Sequence, residues 1–391
     1  MMRRLFVLLA AAVLCASVPA HAATSLKTAL RNDLTSYLQA RAKAEHISAA
    51  SLSVSLADGS IVDVAAGTTS IGGSQPVTPA SLFQIGSNTK AFTAVAALKL
   101  QSAGKLGLNR PIGTWLPQYP AWKNATISQM LHMISGISTY DDTAAWGKAI
   151  SSDPYRNFTA AELIAFVNQK APLAAHKWIY SNTGYLLTQL VIQKTSGTSY
   201  ADFLRNNVIA PTNIDDIYYS STTYPSGLRA RTVSGYFDND DPDDASLAPL
   251  LGKDVRDYSI SWTQGAGGIL ATPHAVALWA RDMYQGSIVL AAERRELETL
   301  VSTKTADPIP EVSASDPASF GLGLSQLYKP GLGRFWFYEG MTLGYRVIHC
   351  YFPKQNVVIA FGLNSQPRSK ENKSGELVQS IVKTLQAYGK F

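Results

Sequence analysis

Strand-like segments stand at both ends of this chain with a mainly helical stretch between them, and this order constrains the fold more than any other feature. Ala49 to Leu56 and Ile61 to Ala66 read as two strands joined by Ala57-Asp58-Gly59-Ser60, whose Asp-Gly pair signals a hairpin. Near the other end, Phe335 to Phe337, Tyr345 to Phe352 and Val357 to Leu363 read as neighbouring antiparallel strands. Between about 125 and 255 the pattern is mainly helical, with long polar loops. Ser25 to Ala42 is an amphipathic helix with leucines at 26, 30, 34 and 38, and Gly375 to Tyr388 reads as a closing helix. The order predicts an α/β (α+β) fold: an antiparallel sheet flanked by helices, built from both chain ends, with an inserted all-helical domain. The α/β part is expected over about 23–90 and 260–391, and the helical part over about 91–259.

The first residues read as an export leader. Met1 to Arg4 is a short basic start, Leu5 to Ala16 an apolar run, and Ala20-His21-Ala22 an A-x-A cleavage signal. A signal peptide over 1–22 implies a secreted or periplasmic protein cut near Ala22. Cys15 does not suit lipidation, because Leu14 precedes it where a small residue is needed. Losing Arg3 and Arg4 lowers the formal net charge from +6 to +4. The remaining bases are scattered, which argues against a nucleic-acid surface. No later apolar run approaches the ~20 residues of a membrane helix, and no stable membrane anchor is expected. With 46% hydrophobic residues the chain can bury a large core. Cys350, alone in the mature chain, has no partner for a disulfide and reads as a buried strand residue.

Ser87-Asn88-Thr89-Lys90 is an S-x-x-K motif. On a helix, positions i and i+3 share a face, so an amine can sit beside the hydroxyl. A serine is a poor nucleophile until a neighbour takes its proton, and a desolvated lysine can do so. Ser102-Ala103-Gly104-Lys105 and Ser380-Ile381-Val382-Lys383 match the same four letters. Only Ser87 stands where an apolar strand-like segment turns into the first turn of an apolar helix, with unpaired N–H groups and the helix dipole favouring negative charge. Tyr180-Ser181-Asn182 is a Y-x-N motif, which Tyr155-Arg156-Asn157 repeats.

The stretch from Phe83 to Phe92, running on to Gly104-Lys105-Leu106-Gly107-Leu108, resembles the nucleophile region of class C β-lactamases and of related DD-peptidases and family VIII-type esterases. Tyr180-Ser181-Asn182-Thr183-Gly184-Tyr185 resembles their second motif. Ser135-Gly136 and Gly267 to Pro273 resemble two further family stretches, read as structural. The resemblance spans about residues 45 to 365 in the family order and implies a penicillin-binding-protein and β-lactamase-like fold. It further implies that Ser87 attacks a carbonyl and that Lys90 or Tyr180 accepts its proton. Asn182 then donates to the acyl side of the substrate and holds Lys90 in place.

The resemblance departs at the third motif, where the family carries Lys or His and then a Gly on an edge strand. Here Tyr338-Glu339-Gly340 stands in that place. Gly340 permits close approach of substrate backbone, and the N–H of Met341 pairs with that of Ser87 as an expected oxyanion hole. Tyr338 supplies no positive charge, Glu339 repels a carboxylate if it faces inward, and Arg346 is the one nearby candidate to replace the missing cation.

The expectation is therefore an exported serine hydrolase working through an acyl-enzyme on a D-amino-acid-containing peptide or a small ester, with peptidoglycan fragments among the possible substrates. A class C-like β-lactamase and a cell-wall-peptide or β-lactam binding domain without efficient turnover are the alternatives. No cofactor is implied. The histidines form no H-x-x-x-H pair and no G-x-S-x-G elbow occurs, so neither a zinc hydrolase nor a Ser-His-Asp lipase is supported. His132 reads as a packing residue. The acidic run Asp238 to Asp244 lacks the glycine and closing glutamate of a calcium loop and reads as a solvated turn.

Overall fold

A computed structural model of the protein describes residues 25–167, 170–172 and 176–391; the expected leader over 1–22 lies outside the described residues. The main sheet contains Ala49–Ser55 (β1), Ile61–Gly67 (β2), Leu300–Ser302 (β3), Pro308–Ile309 (β4), Ala318–Phe320 (β5), Ser325–Lys329 (β6), Gly333–Thr342 (β7), Tyr345–Phe352 (β8) and Val357–Leu363 (β9). Their order across the sheet is β2-β1-β9-β8-β7-β6-β5-β3-β4. The two chain ends meet where β1 pairs antiparallel with β9, Ala50 opposite Leu363 and Ser55 opposite Val358. The antiparallel sheet built from both ends is thus observed.

The β1–β2 hairpin turns through Gly59 at φ +83°, while Asp58 Oδ1 accepts from the Ser60 N–H at 2.9 Å. Every residue of β1, β8 and β9 is buried, so helices must cover both faces. Leu26–Arg41 (α1) and Ser374–Ala387 (α5) cover one face. Leu30, Leu34, Ile381 and Leu385 pack there against Leu52, Ile348, Ile359 and Phe361. The other face meets Thr89–Ser102 (α2) and Pro273–Gln285 (α4), through residues such as Phe92, Trp279 and Ala280 set against Val347, Val358 and Ala360. Asn182–Ser196 (α3) lies in the helical stretch between the sheet-forming segments and packs its Leu186, Leu187 and Val191 into the same core.

The helix after Ser87 ends as expected, with Gly104 at φ +69° and the Lys105 N–H bonded back to Leu100. Short strands β3 to β6 extend the sheet beyond what the sequence pattern indicates. A second small sheet joins Phe83–Gln84, Ile269–Ala271 and Ile217–Tyr219. It ties the segment before Ser87 to the stretch that follows Gly267. Cys350 is fully buried in β8, as expected, and burial pushes its thiol up. Among the described residues no helix is long and apolar enough to cross a membrane.

Candidate active site

Ser87 sits in a short 3-10 turn, Gly86–Asn88, that feeds directly into α2. Gly86 adopts φ +51°, a left-handed conformation that an L side chain resists. One turn on, Lys90 Nζ lies 2.8 Å from Ser87 Oγ and donates to the Ala266 carbonyl at 3.0 Å. The lysine is wholly buried, and burial pushes its amine down to about 7, with Asp141 pulling it back upward. A neutral Lys90 can keep its bond to Ala266 and accept the Ser87 proton on its lone pair. On the other side of Ser87, Tyr180 OH lies 2.7 Å from the same oxygen. Tyr180 is half-buried, and burial pushes its phenol up to about 12. Lys90 Nζ also lies 4.9 Å from the centre of the Tyr180 ring and 5.3 Å from that of Tyr185.

The competing motifs are elsewhere. Ser102 is exposed at the end of α2, Ser380 Oγ donates to Asp33 at 2.7 Å, and Tyr155 is exposed.

Asn182 opens α3, and its Nδ2 donates to Asp141 Oδ2 at 2.6 Å. That contact orients the amide, since a carboxylate oxygen needs a donor. Its Oδ1 has no partner. The expected grip of Asn182 on Lys90 is not observed; Ala266, in the stretch read as structural, holds the lysine instead. Asn88 supplies a second anchor for the nucleophile turn. Its Nδ2 donates to Ile85 O at 3.0 Å and to Val347 O at 2.7 Å, and its Oδ1 meets His349 Nδ1 at 2.7 Å. Burial holds His349 down at about 4, so the ring is neutral and Nδ1–H donates to Asn88. Sequence reasoning passed over this pair, because the two residues are far apart in the chain.

The third-motif segment divides. β7 runs against the nucleophile turn at van der Waals distance: a Cβ built on Gly340 would stand 2.0 Å from the Ile85 carbonyl oxygen, and one on Gly86 would stand 2.5 Å from that of Met341. Met341 borders the cavity in front of Ser87 and is exposed. Tyr338 is buried behind Tyr180 and is not part of the cavity wall; its hydroxyl adjoins the Tyr180 phenol without forming a hydrogen bond of good geometry. Glu339 borders the cavity as a residue, but its carboxylate is held elsewhere, accepting from Asn372 Nδ2 at 2.9 Å and Ser374 Oγ at 3.1 Å. Arg346 does not take the place of the missing cation. It is fully buried, with its guanidinium 2.6 Å from Glu45 and further bonds to Ser365 O and Asn372 Oδ1. Its charge is spent inside the protein.

The cavity at Ser87 holds ≈ 410 Å³. Trp146 and Trp262 form an aromatic wall, their ring centres 5.3 Å apart. Asp141, Asp142 and Asp244 supply carboxylates, whereas no Lys, Arg or His is among the lining residues. Asp142 is pushed up to about 6, first by desolvation and then by Asp141, Asp244 and Asp243. Among the described residues no group of three or more His, Cys, Asp or Glu is placed to hold a metal ion.

Residues 34–382 match the Beta-lactamase family. The chain belongs to that family. A Bacillus subtilis relative of this Beta-lactamase family chain, penicillin-binding protein 4*, is 24% identical over 69% of this chain and 58% of its own length. The protein flp of Staphylococcus aureus is 30% identical over 38% of this chain and 30% of its own. The chain thus spans little more than half, or less, of these relatives. Its fold is similar to that of the D-amino acid amidase of Ochrobactrum anthropi SV3 (TM-score 0.77, 22% identity, 92% and 99% of the two chains). It is also similar to a D-stereospecific amidohydrolase from Streptomyces sp. (0.74, 20%, 90% and 98%) and to the D-alanine carboxypeptidase AmpC of Burkholderia cenocepacia (0.68, 19%, 91% and 99%). The family resemblance and fold expected from the motifs are therefore correct. The aspartates of the cavity were not anticipated as site residues: Asp244 lies in the run read as a solvated turn, and Asp141 and Asp142 carry no motif.

Proposed function

We propose that this protein is an exported serine hydrolase that acts through an acyl-enzyme on an amide or ester, with Ser87 as nucleophile. The observation that carries the reading is the close triad of oxygens and nitrogen, with Ser87 Oγ 2.8 Å from Lys90 Nζ and 2.7 Å from Tyr180 OH. A lysine brought down to about 7, and so able to give up its proton near neutral pH, and an un-ionised phenol assign the roles. Ser87 gives its proton to Lys90 as its oxygen attacks the carbonyl carbon, and the oxyanion is met by the N–H groups of Ser87 and Met341. Tyr180 then gives its proton to the departing amine or alcohol, which leaves a phenolate beside the new Lys90 ammonium. Water attacks the acyl-enzyme and yields its proton to the phenolate, and Lys90 returns its own to Ser87 Oγ. Each group ends as it began.

The D-amino acid amidase and D-stereospecific amidohydrolase names among the similar structures support a small D-amino-acid amide or D-peptide as substrate. A carboxylate-bearing β-lactam fits less well, because the cavity offers acids in place of the missing cation. The test is treatment with a fluorophosphonate probe and mapping of the labelled residue by mass spectrometry, beside hydrolysis of D-phenylalanine amide, nitrocefin and an uncharged p-nitrophenyl ester. Label on Ser87 with turnover of the amide supports the reading. Label elsewhere, or nitrocefin as the preferred substrate, overturns the respective part of it.

A further inference from the structure

His349 is a buried imidazole that no step of the proposed reaction uses, and it is joined through one residue to the nucleophile turn. It stands in β8, 2% exposed, on the sheet face that α4 covers. A polar ring enclosed there needs a partner at each nitrogen. Nδ1 lies 2.7 Å from Asn88 Oδ1, and Nε2 lies 3.2 Å from the hydroxyl of Tyr284 in α4. The Asn88 amide decides where each proton sits. Its Nδ2 donates to the carbonyls of Ile85 at 3.0 Å and Val347 at 2.7 Å, and turned over it would set its oxygen against both. Oδ1 therefore accepts, Nδ1 carries the hydrogen, and Nε2 accepts from Tyr284. Tyr284 is itself fixed, its ring centre 5.6 Å from that of Trp336 and 4.9 Å from that of Tyr351 in stacked contacts.

This chain of bonds ends at the reaction centre. Val347 pairs with Gly340 across β8 and β7, one residue before Met341. A Cβ on Gly340 would stand 2.7 Å from Asn88 Nδ2 and 2.8 Å from Asn88 N, so the amide fills the place where the nucleophile turn meets β7. Its bond to the Val347 carbonyl ties that turn, with Ser87 the residue before it, to the strand pair that carries the Met341 N–H. Resting on the acyl-serine reading above, we propose that His349 is a positioning residue for catalysis: its Nδ1–H holds the Asn88 amide in the orientation that sets the Ser87 and Met341 N–H groups around the oxyanion. His349 is not among the residues that line the cavity and acts only through Asn88. Without its donor the amide oxygen is left buried and unpaired, a cost relieved by moving the amide and with it the turn.

The experiment measures kcat and KM for an uncharged p-nitrophenyl ester, and the rate of fluorophosphonate labelling at Ser87, in wild type, His349→Asn and His349→Leu, on protein that urea melts show to be folded. Asparagine and leucine branch at the same atom, and only asparagine offers an N–H near the place of Nδ1. His349→Leu is expected to lose about tenfold or more in kcat and in labelling rate, short of the about 10²–10³ of a missing oxyanion donor, with KM within about twofold of wild type. His349→Asn is expected to keep most of both rates. A merely structural histidine would show no such rescue, since both variants lose the bond to Tyr284. Wild-type rates in folded His349→Leu overturn the proposal, and so does a loss in His349→Asn equal to that in His349→Leu. If His349→Leu does not fold, Asn88→Ser takes its place with the same expected losses, and wild-type rates in that variant overturn the proposal. A wild type that takes no label at Ser87 instead brings down the acyl-serine reading, and this inference with it.

Discussion

Lys90 Nζ lies 2.8 Å from Ser87 Oγ at the end of a side chain with no solvent exposure. With the amine pushed down to about 7 by burial, a reaction that needs neutral Lys90 gains rate as pH rises through that value. For an uncharged p-nitrophenyl ester, kcat/KM is expected to climb across about pH 6 to 8 and then level off. The ester has no titrating group of its own, so the limb reports the enzyme. Lys90→Arg is expected to remove activity throughout this range, because a guanidinium stays protonated. A flat profile between those pH values would dismiss lysine as the base.

The same burial makes Lys90 a cost to the fold. Unfolded, the amine titrates at 10.5; folded, at about 7. Below about 7 both states bind the proton and the full penalty applies; as pH rises from there to 10.5 the unfolded state alone is protonated, and the penalty fades. Lys90→Met is therefore expected to abolish activity while raising stability by on the order of a few kcal/mol near pH 6, and by much less near pH 10. The gain is reduced by the unpaired Ala266 carbonyl. Urea melts of both proteins at the two pH values measure it, and a variant less stable than wild type near pH 6 refutes the linkage.

Tyr180→Phe keeps the ring against Lys90 and removes only the hydroxyl 2.7 Å from Ser87. Loss of a positioned acid or base costs about 10²–10⁴ in rate. The effect should be larger on an amide than on a p-nitrophenyl ester, since an amine cannot leave without a proton and a nitrophenolate can. Equal losses on both would mean that Tyr180 serves the attack rather than the departure.

How far the sequence speaks differs from residue to residue. Ser87 and Lys90 are legible because helical geometry brings i and i+3 together, and the β1–β2 hairpin because Asp58-Gly59 marks its turn. The face on which Arg346 lies is not legible. A strand buried on both sides, as Tyr345–Phe352 is, has no alternation of polar and apolar residues from which to read it. Strands of two or three residues such as Pro308–Ile309 carry no periodicity at all. The acid wall is hidden for another reason: Asp141 and Asp142 come from a turn and Asp244 from a kinked 3-10 helix about a hundred residues further on, and each alone reads in the sequence as part of a solvated turn.

Gly340→Ala tests the contact between β7 and the nucleophile turn. The added Cβ would stand 2.0 Å from the Ile85 carbonyl, so the strand must move away from Ser87 and carry the Met341 N–H with it. Losing one oxyanion donor costs about 10²–10³ in kcat. Labelling by a fluorophosphonate, whose oxygen needs the same donors, should slow in parallel. Wild-type rates in this variant would show that the Met341 N–H does not serve the reaction.

Arg346 is expected to matter for folding and not for substrate choice. It and Glu45 have no solvent exposure in their side chains and meet at 2.6 Å, with Tyr37 and Arg41 also donating to Glu45. Removing one partner of a buried pair typically costs about 3–5 kcal/mol, because the other charge is left uncompensated. Arg346→Met should therefore lower the urea midpoint strongly, and adding Glu45→Gln should recover part of the loss. The ratio of kcat/KM for nitrocefin to that for an uncharged ester should stay the same in Arg346→Met as in wild type, measured on folded protein. A selective fall with nitrocefin would mean that the guanidinium does attract a substrate carboxylate, through a rearrangement that breaks its bond to Glu45.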